Sequence, residues 1–323
     1  MEVRLAEADS GTGAQHSGLL SPPLAVLFRL LGHTRAVTSM SFSSSEDELL
    51  TASIDRSVRV WDVCCGTLRA VFTDDHPVPA AMFLPVQVGT FVAASSRAPS
   101  SAMSRRKAKL RRHIGLRLVS ARTSQVLEAL PLEAEVSTLH IDVTGYVLFM
   151  GTKGGSICVI EVARAVGAES TSRRRMLQHK FEQPLASETV TCITSAPSMR
   201  AILLVGVANT AVIIAECIYK AGHLGGIRAQ RHVALGMTTA PSASFPQCCG
   251  CPSGPGLLAT CSGDKLLYIS LRGGEEHERE SDMVWRQQHH KAPLVTAAVN
   301  MQGTCLVTAD TAGHISLWRC SAS

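Results

Sequence analysis

Short runs of alternating apolar and polar residues, separated by turn residues, extend along most of the chain. The clearest case is the segment 31–62, where the run ELLTAS is joined to SVRVW through the turn residues Ile54 to Arg56. Alternation with a period of two is typical of strands that bury one face. Weaker copies of this unit follow at 77–91 with 114–127, 136–162, 189–218, 237–271 and 292–318. The pattern therefore predicts an all-β fold made of six similar units.

Polar residues in the first unit have a spacing that predicts a buried hydrogen-bond network. His33 follows Gly32, Ser53 and Asp55 end the second run, and Trp61 precedes Asp62 at the end of the third. We expect Asp55 to accept a hydrogen bond from the His33 ring. We expect Ser53 to bridge His33 to the indole N–H of Trp61, so that the buried polar groups satisfy one another.

The other units lose parts of this network. The tryptophan position holds Val, Ile, Ala or Ser in the four middle units, although Asp264 keeps the register of Asp55 in the fifth unit. We therefore expect the other units to depend on strand pairing and on apolar packing between neighbouring sheets.

These residues resemble the WD repeat family. The resemblance is carried by LLGHTRAVTSMSFSSSEDELLTASIDRSVRVWD near the start and by APLVTAAVNMQGTCLVTADTAGHISLW near the end. It implies a WD40-type β-propeller of four-stranded blades, spanning residues 24–320. It also implies a non-enzymatic protein of the nucleus or cytoplasm that binds other proteins.

The ends of the repeat region predict how the ring of blades closes. The apolar run from Leu24 to Leu31 precedes the first unit, and the last unit ends at Trp318 without a fourth strand. We expect the N-terminal run to complete the last sheet, because this would cover both exposed edges. The result is six blades, and a seventh would require an upstream blade that this chain lacks. Residues 1–23, which contain Pro22-Pro23, are predicted to be a disordered leader.

Composition places the protein in a reducing, aqueous compartment. The 323 residues are 46% hydrophobic and 18% charged, and the first ten residues predict no signal peptide. The apolar segment from Ala201 to Ile218 is split by Asn209-Thr210, which favours a buried hairpin over a membrane span. Most of the eleven cysteines stand singly in apolar runs, as buried free thiols do, so we expect the nucleus or the cytosol.

A basic insertion, residues 97–113, replaces the tight turn of the second unit. It contains six closely spaced cations: Arg105, Arg106, Lys107, Lys109, Arg111 and Arg112. Residues 76–127 hold nine Lys or Arg and no acid, which leaves a net charge of −4 on the rest of the chain. The insertion, which we call the basic loop, is compatible with contact to an importin, RNA or an acidic protein, and equally with a solvated insertion without a partner. It contains no aromatic residue that could stack on a base.

Catalytic and metal-binding patterns are weak. Cys248 and Cys251 have the spacing of one zinc-ligand pair, but no second pair lies nearby in the sequence. We find no phosphate-binding glycine loop, nucleophile elbow or paired catalytic carboxylates. The sequence therefore predicts neither an enzyme nor a protein with a metal, a cofactor, a small-molecule substrate or a membrane partner.

The loops beside the predicted network provide candidate binding residues. Thr34, Arg35, Ile54 and Arg56 should lie together at one end of the propeller, where loops form a broad platform. Arginine makes forked contacts with carboxylate or phosphate groups, so an acidic peptide or a modified tail is a plausible ligand. The leading hypothesis is a scaffold for protein partners, and the alternative is an RNA-associated protein that acts through the basic loop.

Overall fold

The structure is a computed structural model of the whole chain, and it describes only part of it. Connections and strands are described in residues 30–96, 114–142, 144–163, 175–196, 199–208, 211–220 and 223–234. Elsewhere, only residues 4–5 and the strands after residue 247 are described. The basic loop, including all six of its closely spaced cations, lies outside the described residues, as do Cys251 and Asp264.

The described residues form 24 β-strands and no helix, arranged as six four-stranded sheets. The chain begins with β1 (Arg4–Leu5). Blade 1 comprises β2 (Val37–Phe42), β3 (Glu48–Ser53), β4 (Ser57–Asp62) and β5 (Leu68–Thr73). Blade 2 comprises β6 (Ala80–Phe83), β7 (Thr90–Ala94), β8 (Gly115–Ser120) and β9 (Val126–Pro131). Blade 3 comprises β10 (Val136–Ile141), β11 (Val147–Thr152), β12 (Ser156–Val162) and β13 (Leu177–Pro184).

The remaining strands complete three more blades. Blade 4 comprises β14 (Val190–Ala196), β15 (Met199–Val207), β16 (Ala211–Lys220) and β17 (His223–Ala234). Blade 5 comprises β18 (Cys248–Gly250), β19 (Gly256–Thr260), β20 (Lys265–Ser270) and β21 (Met283–Arg286). Blade 6 comprises β22 (Leu294–Val299), β23 (Cys305–Asp310) and β24 (His314–Arg319), with β1 beside β24. Each blade coincides with one unit of the sequence pattern, so the prediction of six repeated units is confirmed.

Consecutive blades pack against each other through their first strands. β2 contacts β6, β6 contacts β10, β10 contacts β14, β14 contacts β18, and β18 contacts β22. Strands β2, β6, β10 and β14 together surround a cavity of about 530 Å³. This arrangement of antiparallel sheets around a shared centre is that of a β-propeller.

Apolar layers between adjacent blades form the core. Successive side chains of a strand point to opposite faces, so alternate residues of β7 pack in different layers. Phe91 and Ala93 pack in the layer between blades 1 and 2. Val92 and Ala94 pack in the layer between blades 2 and 3. The Phe91 ring lies edge-on to two other phenylalanine rings in the first of these layers. A third layer joins blades 3 and 4.

The apolar segment 201–218 forms the predicted hairpin. β15 and β16 pair antiparallel from Ile202↔Glu216 up to Val207↔Ala211. No helix in the described part of the chain is long and apolar enough to cross a membrane.

The fourth strand of the last sheet comes from a different segment than the sequence suggested. β1 pairs in parallel with β24, with Arg4 opposite His314 and Leu5 opposite Ile315. Of the predicted edge strand, residues 24–29 lie outside the described residues, and Leu30 and Leu31 lie outside any strand. An open sheet edge can pair with any extended segment, so apolar character alone does not select the segment. The division of the chain at residue 23 stays a prediction.

Candidate functional site

A hydrogen-bonded chain of side chains runs across one face of blade 1. The His33 Nδ1 atom lies 2.8 Å from Asp55 Oδ2, and His33 Nε2 lies 2.8 Å from Thr51 Oγ1. The Trp61 indole N–H donates to Thr51 Oγ1 over 2.9 Å. In the tautomer that carries its proton on Nδ1, His33 donates to Asp55 and accepts from the Thr51 hydroxyl at Nε2, and every group in this chain then has a partner. The predicted contact between His33 and Asp55 is confirmed.

The predicted role of Ser53 as the bridge is wrong, because Thr51 occupies that place. In the pairing of β3 with β4, Trp61 lies opposite Leu49, so Thr51 is its diagonal neighbour. Ser53 lies four residues beyond Leu49, about 13 Å along the strand, and the indole cannot reach it. Ser53 instead donates to the Arg35 carbonyl over 3.2 Å and accepts the Asp55 N–H at 3.0 Å. It therefore shapes the turn.

Asp55 is the centre of the turn between β3 and β4. Its carboxylate accepts the Thr34 N–H at 3.0 Å, the Ser57 N–H at 2.9 Å and the Ser57 hydroxyl at 2.6 Å, in addition to the His33 ring. Burial raises the pKa of this carboxyl, but the hydrogen bonds from Ser57, His33 and Thr34 outweigh burial and hold the pKa well below its ordinary value of 3.8. Asp55 is therefore a charged anchor that joins two loops.

The backbone conformation and the close packing at position 32 require a glycine. Its φ of 152° lies in a region that residues with a side chain rarely adopt. A Cβ at this position would also collide with the Arg59 guanidinium. Arg59 in turn lies 6.0 Å from the Trp61 ring centroid, where a cation is attracted by the ring face. The glycine before His33 thus lets the chain pass over the polar network.

We expect Thr51→Val to lower the free energy of unfolding by about 2–3 kcal/mol, because both His33 Nε2 and the Trp61 indole N–H lose their partner. Valine has nearly the same shape, so the loss reports hydrogen bonds and not a cavity. Urea denaturation measures it, with Thr51→Ser as the control that keeps the hydroxyl. A loss of equal size in both variants would contradict the bridging role of Thr51.

The four candidate binding residues lie at one end of blade 1, as the sequence predicted. Thr34, Arg35 and Arg56 are exposed and Ile54 is half-buried. We call these four residues the blade 1 surface. Thr34 and Arg35 precede β2, whereas Ile54 and Arg56 belong to the turn between β3 and β4. The hydrogen bonds of Asp55 hold these two segments together.

Blade 2 contains a buried charge cluster that the sequence analysis missed. The Arg117 guanidinium contacts the Asp74 carboxylate, and it donates to Ser95 Oγ over 2.8 Å. The His76 backbone N–H donates to Asp74 Oδ1 over 2.9 Å. The Asp74 side chain is fully buried, and that of Arg117 is 14% exposed. Blade 2 therefore depends on a buried ion pair as well as on apolar packing.

The position of Asp74 explains why it was missed. It lies in the connection between β5 and β6, outside the spacing that defines the network of blade 1. The sequence did contain a sign that blade 2 has polar residues at positions equivalent to those of blade 1. His76 precedes β6 by four residues, as His33 precedes β2. Arg117 likewise occupies the third position of β8, as Arg59 does in β4.

The residues that flank the basic loop are hydrogen-bonded within blade 2, whereas the loop itself lies outside the described residues. Ser95 N–H donates to the Gly115 carbonyl at 2.9 Å, and Ser96 N–H donates to the Pro77 carbonyl at 2.9 Å. The loop connects β7 to β8, as the Asp55 turn connects β3 to β4. The flanking residues Ser96 and Ile114 therefore lie at the same end of the propeller as the blade 1 surface.

Cysteines within the described part of the chain serve mainly as packing groups. Cys158, Cys192 and Cys217 are buried and are not in disulfides, whereas Cys64 and Cys65 are exposed. Burial raises the pKa of Cys158 and of Cys217 to about 12, so both stay protonated at neutral pH. Cys248 lies in β18. Among the described residues, no group of three or more His, Cys, Asp or Glu side chains could hold a metal ion.

The fold and the blade 1 network define a β-propeller of the WD40 type. The family model described as WD domain, G-beta repeat, matches residues 24–62, so the chain carries a WD40 repeat at blade 1. The chain is similar to the Set1 complex component swd1 of Schizosaccharomyces pombe, at 41% identity over 64 residues. That alignment covers 20% of this chain and only 16% of the relative.

A solved structure supports the fold over nearly the whole chain. The β-propeller domain of Cps50 (Swd1) from Myceliophteria thermophila superposes with a TM-score of 0.66. The match covers 90% of this chain and 85% of that domain at 17% identity. At this identity the likeness establishes the WD40 β-propeller fold alone.

Proposed function

We propose that the protein is a non-enzymatic scaffold that binds protein partners through the blade 1 surface. The main support is the rigidity of that surface. One carboxylate, Asp55, accepts hydrogen bonds from both segments that carry the exposed residues. Loops held in one conformation bind a partner with little loss of conformational entropy.

Arg56 supports a binding role through its backbone. It has a φ of 75°, a conformation in which glycine avoids a cost of about 1 kcal/mol. An arginine is strained there without contributing to the core, since its side chain is exposed. Backbone strain of this kind is often found at binding sites, which supports a binding role for Arg56.

Charge favours an acidic partner segment. Arg35 and Arg56 are exposed on the blade 1 surface, and Ser96 and Ile114, which flank the basic loop in the sequence, lie at the same end of blade 2. Guanidinium groups form paired hydrogen bonds with carboxylates or with a phosphorylated side chain. We therefore infer an acidic peptide or a modified tail as the ligand. Binding of RNA by the basic loop remains the alternative prediction.

Similarity to other proteins suggests where such a scaffold acts. The fission yeast relative is named as a component of the Set1 complex, and the segment that it shares with this chain is 64 residues long. The order of the repeat units also resembles the animal WD repeat-containing protein thirteen. We propose that the chain is a subunit of a multiprotein complex in the nucleus, with import assisted by the basic loop.

We expect the double variant Arg35→Glu, Arg56→Glu to lose its stoichiometric protein partners without a change in melting temperature. Charge reversal turns two attractive contacts into repulsive ones, so affinity should fall at least about 100-fold. Quantitative affinity purification of the tagged chain measures the loss, and thermal melting checks the fold. The matched control is Arg122→Glu, an exposed arginine at the opposite end of blade 2.

Two further experiments distinguish direct protein binding from RNA binding by the basic loop. Nuclease treatment before purification should leave the partners bound if proteins bind directly. A second experiment replaces five basic-loop cations by serine, and it should lower nuclear accumulation more than it lowers partner binding. The five cations are Arg105, Arg106, Lys107, Arg111 and Arg112. Partners that still bind the Arg35→Glu, Arg56→Glu double variant, or that are lost after nuclease treatment, would contradict the proposed binding surface.

A further inference from the structure

An open cavity of about 500 Å³ lies between blades 3 and 4, at the end opposite to the blade 1 surface. Its wall includes the turn after β10, the end of β12, the end of β14 and the hairpin between β16 and β17. Its volume is within the range of pockets that take a side chain or a small ligand. We call it the inter-blade cavity.

The inter-blade cavity is preformed, because a polar contact fixes the two blades on either side of it. His140 of β10 accepts the Ser195 N–H at Nε2 over 3.0 Å, and the Ser195 hydroxyl lies 2.9 Å from the same atom. The His140 ring stacks on Phe149 with 6.4 Å between ring centroids. Burial lowers the pKa of His140 to about 4, so the ring is neutral at physiological pH and keeps these contacts.

The floor of the inter-blade cavity is apolar and its rim is aromatic. Phe149 and Leu203 line the cavity and are each only 1% exposed. Tyr146 and Tyr219 also line it, and Tyr219 is 44% exposed. An aliphatic stem would cover the floor, and the tyrosine faces would attract a cationic head.

The charged side chains that line the inter-blade cavity are acidic. Asp142 and Glu161 contribute carboxylates, and no lysine or arginine is among the described lining residues. Asp142 Oδ1 accepts the N–H groups of Tyr146 and Val147 at 3.1 and 3.0 Å, and Asp142 Oδ2 accepts the Thr144 hydroxyl at 2.5 Å. Glu161 binds Lys180 through Oε2 at 2.5 Å, whereas its Oε1 lies 3.8 Å from His223 Nδ1, beyond hydrogen-bond distance. A carboxylate offers about four acceptor positions. Asp142 uses three of them, so one position is left there, and Glu161 can accept a further donor at Oε1.

We propose that the inter-blade cavity binds a lysine or arginine side chain of a partner protein, with the stem on Phe149 and Leu203 and the head between Asp142 and Glu161. An acidic occupant would meet two carboxylates. A purely apolar occupant would exclude water from them and provide no donor in exchange. The proposal rests on the scaffold function for the existence of a partner, but it concerns a different surface and a partner segment of opposite charge.

Four degenerate heptapeptide libraries on a solid array test this proposal, each with one fixed central residue: arginine, lysine, norleucine or glutamate. The folded full chain, fluorescently labelled, should bind the arginine and lysine libraries at least about tenfold more strongly than the other two, as one charge-assisted hydrogen bond allows. Equal binding to all four libraries, stronger binding to norleucine or glutamate, or no binding above background would overturn the proposal.

Variants locate the binding. Glu161→Gln and Tyr219→Ala should each weaken the preference for a cationic residue about fivefold or more. The matched control is Glu135→Gln, because Glu135 also binds one lysine and its side chain has the same 36% exposure as that of Glu161. The Arg35→Glu, Arg56→Glu double variant should keep the preference, which separates this test from that of the blade 1 surface. A preference unchanged in Glu161→Gln and Tyr219→Ala, or lost equally in Glu135→Gln, would refute the assignment.

Discussion

Asp55→Ala should lower the free energy of unfolding by about 3–4 kcal/mol, because four donors lose their acceptor and water replaces it only at the exposed Thr34 N–H. The stranded donors are the His33 ring, the Thr34 and Ser57 N–H groups and the Ser57 hydroxyl. Urea denaturation at neutral pH measures the loss. The comparison is Asp264→Ala, the equivalent position of the fifth unit by sequence, whose tryptophan position holds Ser270. A shift for Asp55→Ala no larger than for Asp264→Ala would contradict the central role of the blade 1 network.

The stabilisation by Asp55 should also depend on pH in a defined direction. Its pKa in the folded protein is lowered from the ordinary value of 3.8. A group with a depressed folded pKa contributes its full stabilisation above its unfolded pKa, and the contribution falls as the pH drops through that value towards the folded pKa. The difference in stability between the native chain and Asp55→Asn should therefore be constant near neutrality and shrink below about pH 4. A difference that grows on acidification would contradict this assignment.

Asp74→Ala should lower the free energy of unfolding by about 3–5 kcal/mol, since it leaves the Arg117 guanidinium buried without its counter-charge. The same change also removes the acceptor of the His76 N–H. Replacement of both charges, Asp74→Leu with Arg117→Met, should destabilise less than Asp74→Ala alone, because no unpaired charge then stays in the interior. Denaturation of Asp74→Leu, of Arg117→Met and of the double variant gives the coupling energy. Losses that simply add would show that Asp74 and Arg117 act independently.

Disruption of the ion pair between Asp74 and Arg117 should also increase proteolytic cleavage of the basic loop. Ser95, which accepts a hydrogen bond from Arg117, also donates through its N–H to the Gly115 carbonyl at the base of the loop. Limited proteolysis within residues 97–113 should therefore be faster in Asp74→Ala than in Thr51→Val, which changes blade 1 only. Equal rates of cleavage would show that the loop base does not depend on the charge cluster.

Sequence patterns located the elements well because the signals that define strands are local. The alternation in LLTAS and VRVW, the polar break at Asn209-Thr210 and the spacing from His33 to Asp55 each involve one strand or one turn. A strand that buries one face must alternate whatever it packs against. The six units and the His33 to Asp55 contact could therefore be predicted without knowledge of the tertiary structure.

Details that depend on register or on neighbouring blades could not be predicted in this way. Thr51 and Ser53 have similar side chains on the same face of β3, and only the pairing of Leu49 with Trp61 selects Thr51 as the bridge. Asp74, in the connection between β5 and β6, contacts Arg117 of β8, which lies 43 residues further along the chain. No spacing within a single unit contains that contact.

The sequence by itself determined that the chain is a repeated all-β structure with one complete WD-type network, because period-two burial and tight-turn chemistry are properties of short segments. Tertiary structure alone decided which hydroxyl completes the network, which buried charges pair in blade 2 and which segment lies beside β24. It also decided that the acidic inter-blade cavity exists between blades 3 and 4. Each of these depends on the distance between residues far apart in the chain, and that distance is fixed only when the sheets pair and the blades pack.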